Sequence, residues 1–216
     1  YATMFMLRNV GPSGYVYAIE PDEHNLKFLV ENIKINGYLS NERCEIIKCL
    51  ISKEDCKLPF WIAKHPNLNS VKKTKHSIRK VELDAYSLET FLENRRYPNF
   101  IKMDIEGHEV SVFNGGFDYF KKNRGTTHIL LEIHPSEYDE SNSFEISMRN
   151  YFSIGFNCSN IIATPRARPE LFKKLGLEPS KVFNSDGFER GLYTDVPEEA
   201  AIMIASREND EPWGTG

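Results

Sequence analysis

Acidic residues stand at the ends of three apolar runs in this sequence. Glu20 follows residues 15–19, Asp104 and Glu106 follow the run that starts at Phe100, and Glu132 with His134 closes the run that starts at His128. In an open α/β sheet, ligands bind outside the carboxyl ends of the strands, so side chains in these places can touch a ligand. A carboxylate that follows an apolar strand and precedes a helix can accept hydrogen bonds from both hydroxyls of a ribose. That is the chemistry open to Glu20; the plainer alternative is a solvated acid that favours the helix dipole. Lys102 and Asp104 are two apart and share a strand face, as do Glu132 and His134. The first pair is either an ion pair at a sheet end or an acid set beside a reacting centre. Imidazole titrates near neutrality, so His134 can serve as a general base, or it can be structural. Asp104, Glu132 and His134 together could also form an oxygen-rich site for a divalent ion.

The elements that must hold these side chains alternate along the chain. After a turn at Gly11-Pro12-Ser13-Gly14, residues 15–19 read as a strand covered on both faces. Asp22 then caps a helix with Leu26, Leu29, Val30 and Ile33 at helical spacing, stopped by Asn36-Gly37. Strands are expected at 44–51, 60–63, 100–104 and 128–133, with a last one at 201–205. Helices are expected after Ser87 (Leu88, Phe91, Leu92), over the stripe Val110, Phe113, Phe117 and Phe120, and around Phe144, Met148, Tyr151 and Phe152. Such alternation predicts an α/β fold around a mainly parallel sheet, and 216 residues suit a single domain. Residues 1–7 read as the middle of a helix without a cap, so the chain is expected to be part of a longer one. Residues 163–197, broken by Pro165, Pro169 and Pro179, are expected to form a substrate-side insertion ahead of the final strand.

Composition removes several classes of function. Apolar residues make up 40 % of the chain and 14 Phe and 10 Tyr are present, enough for a large core and too many for global disorder. Lys and Arg number 27 against 31 Asp and Glu, a net charge of −4, so no whole-molecule field draws in nucleic acid or an anionic membrane. No apolar run has the length of a membrane span, and the opening residues do not read as a secretory signal. Cys44, Cys49, Cys56 and Cys158 form no C-x-x-C pair and read as reduced thiols, which predicts a cytoplasmic location. The spacings of the first three do not match a structural zinc site. Residues 64–80 carry six Lys or Arg and two His with no acid. They are either a solvated loop or a phosphate-facing lip for an anionic acceptor, to which Arg166 and Arg168 could add. Nothing in the sequence resembles an RNA-binding module, so a nucleic-acid partner is not expected.

Two stretches resemble a known family. Residues 14–37, with Glu20-Pro21-Asp22 at the strand end, are similar to the second-strand motif of FkbM-type methyltransferases. Residues 100–109, followed by Gly115-Gly116, resemble that family's K-x-D-x-E-G-x-E signature, with Lys102, Asp104, Glu106, Gly107 and Glu109 in its places. Leu83-Asp84 ahead of Ser87-Leu88, and residues 131–135, also resemble its pattern. The resemblance covers roughly residues 1–160. It implies a Rossmann-like class I methyltransferase fold: a mainly parallel twisted sheet with helices on both faces. It further implies S-adenosyl-L-methionine as cofactor and O-methylation of a hydroxyl on a sugar, glycan or other small acceptor. By the same resemblance Glu20 and Pro21 hold the cofactor ribose, Leu50 to Ser52 line the adenine, and Asp104 lies at the methionine end. Asp104 or His134 is the base, Glu106 stands beside them, and Lys102, Glu132 and His134 face the acceptor. The family's first strand and Gly-rich loop have no counterpart in these residues. Two alternatives therefore stay open: a divalent-metal-dependent O-methyltransferase, and a non-catalytic Rossmann-like binding module.

Overall fold

The computed structural model describes residues 1–38, 43–123, 126–138, 143–163, 169–185 and 187–206. They form two compact units: residues 1–119 with 128–132, and residues 120–127 with 133–216.

The first unit opens with α1 (Ala2–Asn9), which has no side-chain cap at Tyr1. Its Leu7 is fully buried against Val16 and Ile33. Strand β1 (Val16–Ile19) ends at Glu20-Pro21, where proline cannot donate to a ladder. Asp22 then caps α2 (Glu23–Ile35) as its position predicts. Its Oδ1 accepts the backbone N–H of His24 at 3.0 Å and of Asn25 at 2.9 Å. The helix stops at Asn36, and Gly37 supplies the left-handed turn at φ +75°.

The apolar run 44–51 is not one strand. It breaks at Lys48-Cys49 into β2 (Cys44–Ile47), parallel to β1, and β3 (Leu50–Ile51), which joins another sheet. Cys49 is buried at the break, and all four cysteines are free thiols. The strand expected at 60–63 is the end of a longer one, β4 (Cys56–Ala63). It runs antiparallel to β5 (Ser77–Tyr86), which in turn runs parallel to β3. Leu50, Phe60 and Ala85 form the core of this sheet, with Leu58, Val81 and Leu83 against it.

Ser87 caps the short α3 (Leu88–Leu92), its Oγ accepting the Thr90 N–H at 3.1 Å. Strand β6 (Phe100–Met103) leads through a loop into α4 (Glu109–Gly115) and α5 (Phe117–Lys122). The expected single stripe is thus two helices, separated at Gly116. A Cβ on Gly115 would lie 2.5 Å from the Lys53 backbone, so only glycine permits this approach. Strand β7 (His128–Leu131) then pairs parallel with β6.

The second unit holds α6 (Phe144–Ser153), β8 (Asn160–Ala163), α7 (Pro169–Lys174), β9 (Lys181–Ser185), β10 (Phe188–Thr194) and α8 (Glu198–Ala205). Its strands form one antiparallel sheet in the order β8-β10-β9. Leu171, Phe172, Tyr193, Val196, Ala200, Ala201 and Ile204 pack into its core. The final strand expected at 201–205 is therefore a helix. Ala200, Ala201, Ile202, Ile204 and Ala205 are all buried, so the helix shows almost no polar face and its short apolar run mimics a covered strand. Pro197 ahead of Glu198 and Glu199 was the available start signal. Segment 163–197 contains α7 and most of this sheet, and β10 is the last strand among the described residues; Arg166 and Arg168 lie outside them.

Among the described residues the architecture is α/β with four small sheets: the parallel pairs β1/β2 and β6/β7, a mixed sheet in the order β3-β5-β4 and the antiparallel sheet β8-β10-β9. Among the described residues no helix is long and apolar enough to cross a membrane.

Candidate functional site

All but one of the expected site residues belong to the first unit, at the carboxyl ends of its strands. The Glu20 N–H donates to the Ile47 carbonyl at 3.1 Å, which fixes the acid at the shared end of β1 and β2. Its side chain is half-buried, and its Oε1 accepts the Asp22 N–H at 2.9 Å. Burial pushes the Glu20 carboxyl above the ordinary glutamate range, against the bonds from the Asp22 backbone and the Asn25 side chain. A carboxylate has room for about four hydrogen bonds, so these donors leave capacity for a diol.

Strands β6 and β7 bring together the next group. Lys102 Nζ donates to Asp104 Oδ2 at 2.8 Å and lies 3.9 Å from Glu132 Oε2. The two carboxylates offer oxygens within 4.8 Å of one another, and the ammonium bridges them. The Glu132 N–H donates to the Met103 carbonyl at 2.9 Å, extending the ladder by one bond. Lys102 therefore holds the two acids by charge, and it already supplies the positive charge that a divalent ion would bring. His134 belongs to the second unit, where its N–H donates to Tyr138 Oη at 3.2 Å.

Between Asp104 and α4 the chain makes a tight loop. Glu106 sits at φ +53° and Gly107 at φ +93°. Left-handed backbone is costly for a residue with a Cβ and persists only where its surroundings impose it. Glu109 helps to impose it. Its side chain is fully buried, and Oε1 accepts the N–H groups of Ile105 and Gly107, each at 3.3 Å. Ser70 Oγ donates to the Glu106 carbonyl at 3.0 Å.

His108 closes the loop from the other side, its Nε2 lying 3.0 Å from Ser52 Oγ. Burial pulls the imidazole down to about 4; the Glu109 charge works against this and the Lys72 charge adds to it. The ring is therefore neutral at pH 7. Ser52 itself is buried at the end of β3, its N–H donating to the Tyr86 carbonyl at 2.9 Å. Sequence reasoning named Ser52 but missed His108 and Glu109 as functional residues, although both lie inside the signature.

A family model described as the methyltransferase FkbM domain matches residues 1–160. The chain belongs to the FkbM methyltransferase family. The match takes in Glu20, Lys102, Asp104, Glu106, Glu132 and His134, and it ends where β8 begins. Among solved structures, the crystal structure of a methyltransferase FkbM from Methylobacillus flagellatus KT aligns with 84 % of this chain and 36 % of its own, at 18 % identity and a TM-score of 0.45. The FkbM chain thus spans 36 % of that protein's length, and a likeness this loose carries no argument. No curated protein matches.

One cleft of about 530 Å³ opens elsewhere on the first unit, lined by Leu7, Arg8, Gly11, Pro12, Tyr38 and Arg43. Its residues precede β1 and β2, at the amino ends of these strands. That is the wrong end for a ligand of an open α/β sheet, so the strand-end acids, not this cleft, mark the candidate site of the FkbM chain.

Proposed function

We propose that this chain carries the S-adenosyl-L-methionine site of an O-methyltransferase acting on a hydroxyl of a sugar, glycan or other small acceptor. The observation that supports this reading best is the strand-end loop. Lys102, Asp104, Glu106, Gly107 and Glu109 follow the family signature, and their loop is clamped by Glu109 just beyond a strand end. The Rossmann-like architecture belongs to the same reading, and the parallel pairs β1/β2 and β6/β7 support it.

Glu20 and Pro21 would hold the cofactor ribose, and the hydrogen-bonding capacity left on the Glu20 carboxylate fits a diol. Leu50 and Ser52 would line the adenine. When bound, the cofactor supplies a methyl on a sulfonium, which an acceptor oxygen takes in line. The protein's own work is to place that oxygen and remove its proton. Asp104 suits the second task because Lys102 orients its carboxylate at the strand end; His134 is the alternative base. Glu106 and Glu132 shape the acceptor side. The reading includes a reducing, cytoplasmic compartment, consistent with four free thiols.

Calorimetric titration of S-adenosylhomocysteine into the chain tests the assignment. Binding is expected, with affinity falling at least about tenfold in Glu20→Ala, the loss of a charged hydrogen-bond partner. Affinity also falls as the pH is lowered toward the raised Glu20 pKa, because protonation removes an acceptor; Glu20→Gln flattens that profile. Absence of binding would remove the cofactor from this chain and leave a non-catalytic module.

A further inference from the structure

The signature loop has a second attachment, and it comes from a part of the chain outside the signature. Residues 64–76, most of the acid-free stretch, connect β4 to β5, and Ser70 is the one buried residue among them. Its backbone is fixed to β4. The Trp61 N–H donates to the Ser70 carbonyl at 2.7 Å, and the Ser70 N–H donates to the Trp61 carbonyl at 3.1 Å. Asn69 Oδ1 accepts the Ala63 N–H at 2.7 Å, a third bond to the same strand. The Ser70 hydroxyl then reaches away from the sheet. Its oxygen accepts the Lys72 N–H at 3.2 Å, and its proton goes to the Glu106 carbonyl at 3.0 Å. A backbone N–H can only donate and a carbonyl can only accept, so both directions are fixed.

That bond falls on the residue whose backbone most needs support. Glu106 stands at φ +53°, where a side chain is costly and the surroundings must impose the conformation. The Glu106 carbonyl and the Gly107 N–H belong to one peptide group. Ser70 holds the carbonyl and Glu109 Oε1 holds the N–H, so the group is gripped at both ends by residues of different elements. A turn about the Glu106 N–Cα bond would carry the carbonyl away from the hydroxyl. Resting on the methyltransferase reading above, we infer that Ser70 is a positioning residue of the candidate site: its hydroxyl locks the peptide group after Glu106 and so fixes the loop that presents Asp104 and Glu106. A serine placed only to close the connection between β4 and β5 needs its bonds to Trp61 and Lys72. It does not need a bond to a residue 36 positions away.

Amide hydrogen exchange on the whole chain reads this lock directly and needs no ligand. Ser70→Ala is expected to speed exchange of the Ile105 and Gly107 N–H groups about tenfold, the scale of one lost hydrogen bond. Ser77→Ala removes another hydroxyl at the end of the same connection, one that accepts the Thr74 N–H at 2.9 Å. It should leave Ile105 and Gly107 at the parent rate. If Ser70→Ala does not fold, Ser70→Cys provides the comparison, because a thiol is of similar size and donates only weakly. Calorimetric titration of S-adenosylhomocysteine then reads the consequence for the site. Affinity is expected to fall about fivefold in Ser70→Ala and to stay at the parent value in Ser77→Ala. Unchanged exchange at Ile105 and Gly107, an equal rise in Ser77→Ala, or faster exchange with unchanged affinity overturns the inference. If the parent itself binds no S-adenosylhomocysteine, the methyltransferase reading is discarded, and the exchange rates still decide whether Ser70 holds the loop. Binding in the parent, with parent-like exchange in Ser70→Ala, keeps the enzyme and discards the positioning role.

Discussion

Lys102, Asp104 and Glu132 meet at the surface and hold one another by charge, whereas inside, Glu109 holds the loop backbone by hydrogen bonds and His108 meets the Ser52 hydroxyl. Both groups draw on the same ten residues after Phe100. The surface group sits in water, where an ion pair contributes about 0–1 kcal/mol. Its members can therefore be set by the needs of chemistry at little cost to the fold. The interior group has no such freedom, because a polar group cut off from water must keep its partners. One sequence signature thus contains two kinds of residue, those that act and those that keep the loop in shape.

The sharpest way to break this comparison is at Glu109. Glu109→Ala leaves the Ile105 and Gly107 N–H groups without their acceptor inside the protein and opens a cavity, and should cost about 3–5 kcal/mol in denaturant unfolding. A loss below about 1 kcal/mol, the surface scale, would erase the distinction between the two groups.

Acid comes next. The His108 pKa is about 4 when folded and near 6.5 when unfolded, so the unfolded chain takes up the proton first. Stability is full above pH 6.5 and is lost as the pH falls from 6.5 to 4, by about 3 kcal/mol in total from this residue. His108→Gln should flatten melting temperature against pH across that window; an unchanged slope would show that the ring is not buried in its neutral form.

At the surface the expected order of effects reverses. Asp104→Ala should lower methyl transfer about a hundredfold or more, the scale of a lost general base. Its melting temperature should stay within a few degrees of the parent. Normal turnover in that variant would take Asp104 out of the reaction. The smallest effect belongs to Lys102→Ala. It removes the ammonium between two carboxylates and should cost no more than about 1 kcal/mol in denaturant unfolding at pH 7. A larger loss would move Lys102 into the class of Glu109.

Much of the first unit was legible because its signals are local. Asp22 and Ser87 cap helices from adjacent residues, and residues 16–19, 44–47, 100–103 and 128–131 are apolar runs bounded by turns. Strand β5 was harder. Val81, Leu83 and Ala85 point inward, but Lys80, Glu82 and Asp84 between them make the run look like a charged loop. Proline at position 59 likewise hid the first half of β4. In the second unit the interrupted polar stretch 163–197 concealed β9 and β10, which pair with each other while β10 also pairs with β8. The acids could be placed at strand ends because strand ends can be read. The pairing of Ser52 with His108 could not, since 56 residues separate them and only the fold makes them neighbours.

The break between β2 and β3 has a kinetic consequence. Burial pushes the Cys49 thiol up to about 11, so at pH 8 about one molecule in a thousand carries the reactive thiolate there. Alkylating reagents therefore meet Cys49 chiefly when this part of the sheet comes apart, and the rate of its modification counts those openings. The chain carries, one step from the residues expected to line the adenine, its own clock for how often that wall gives way.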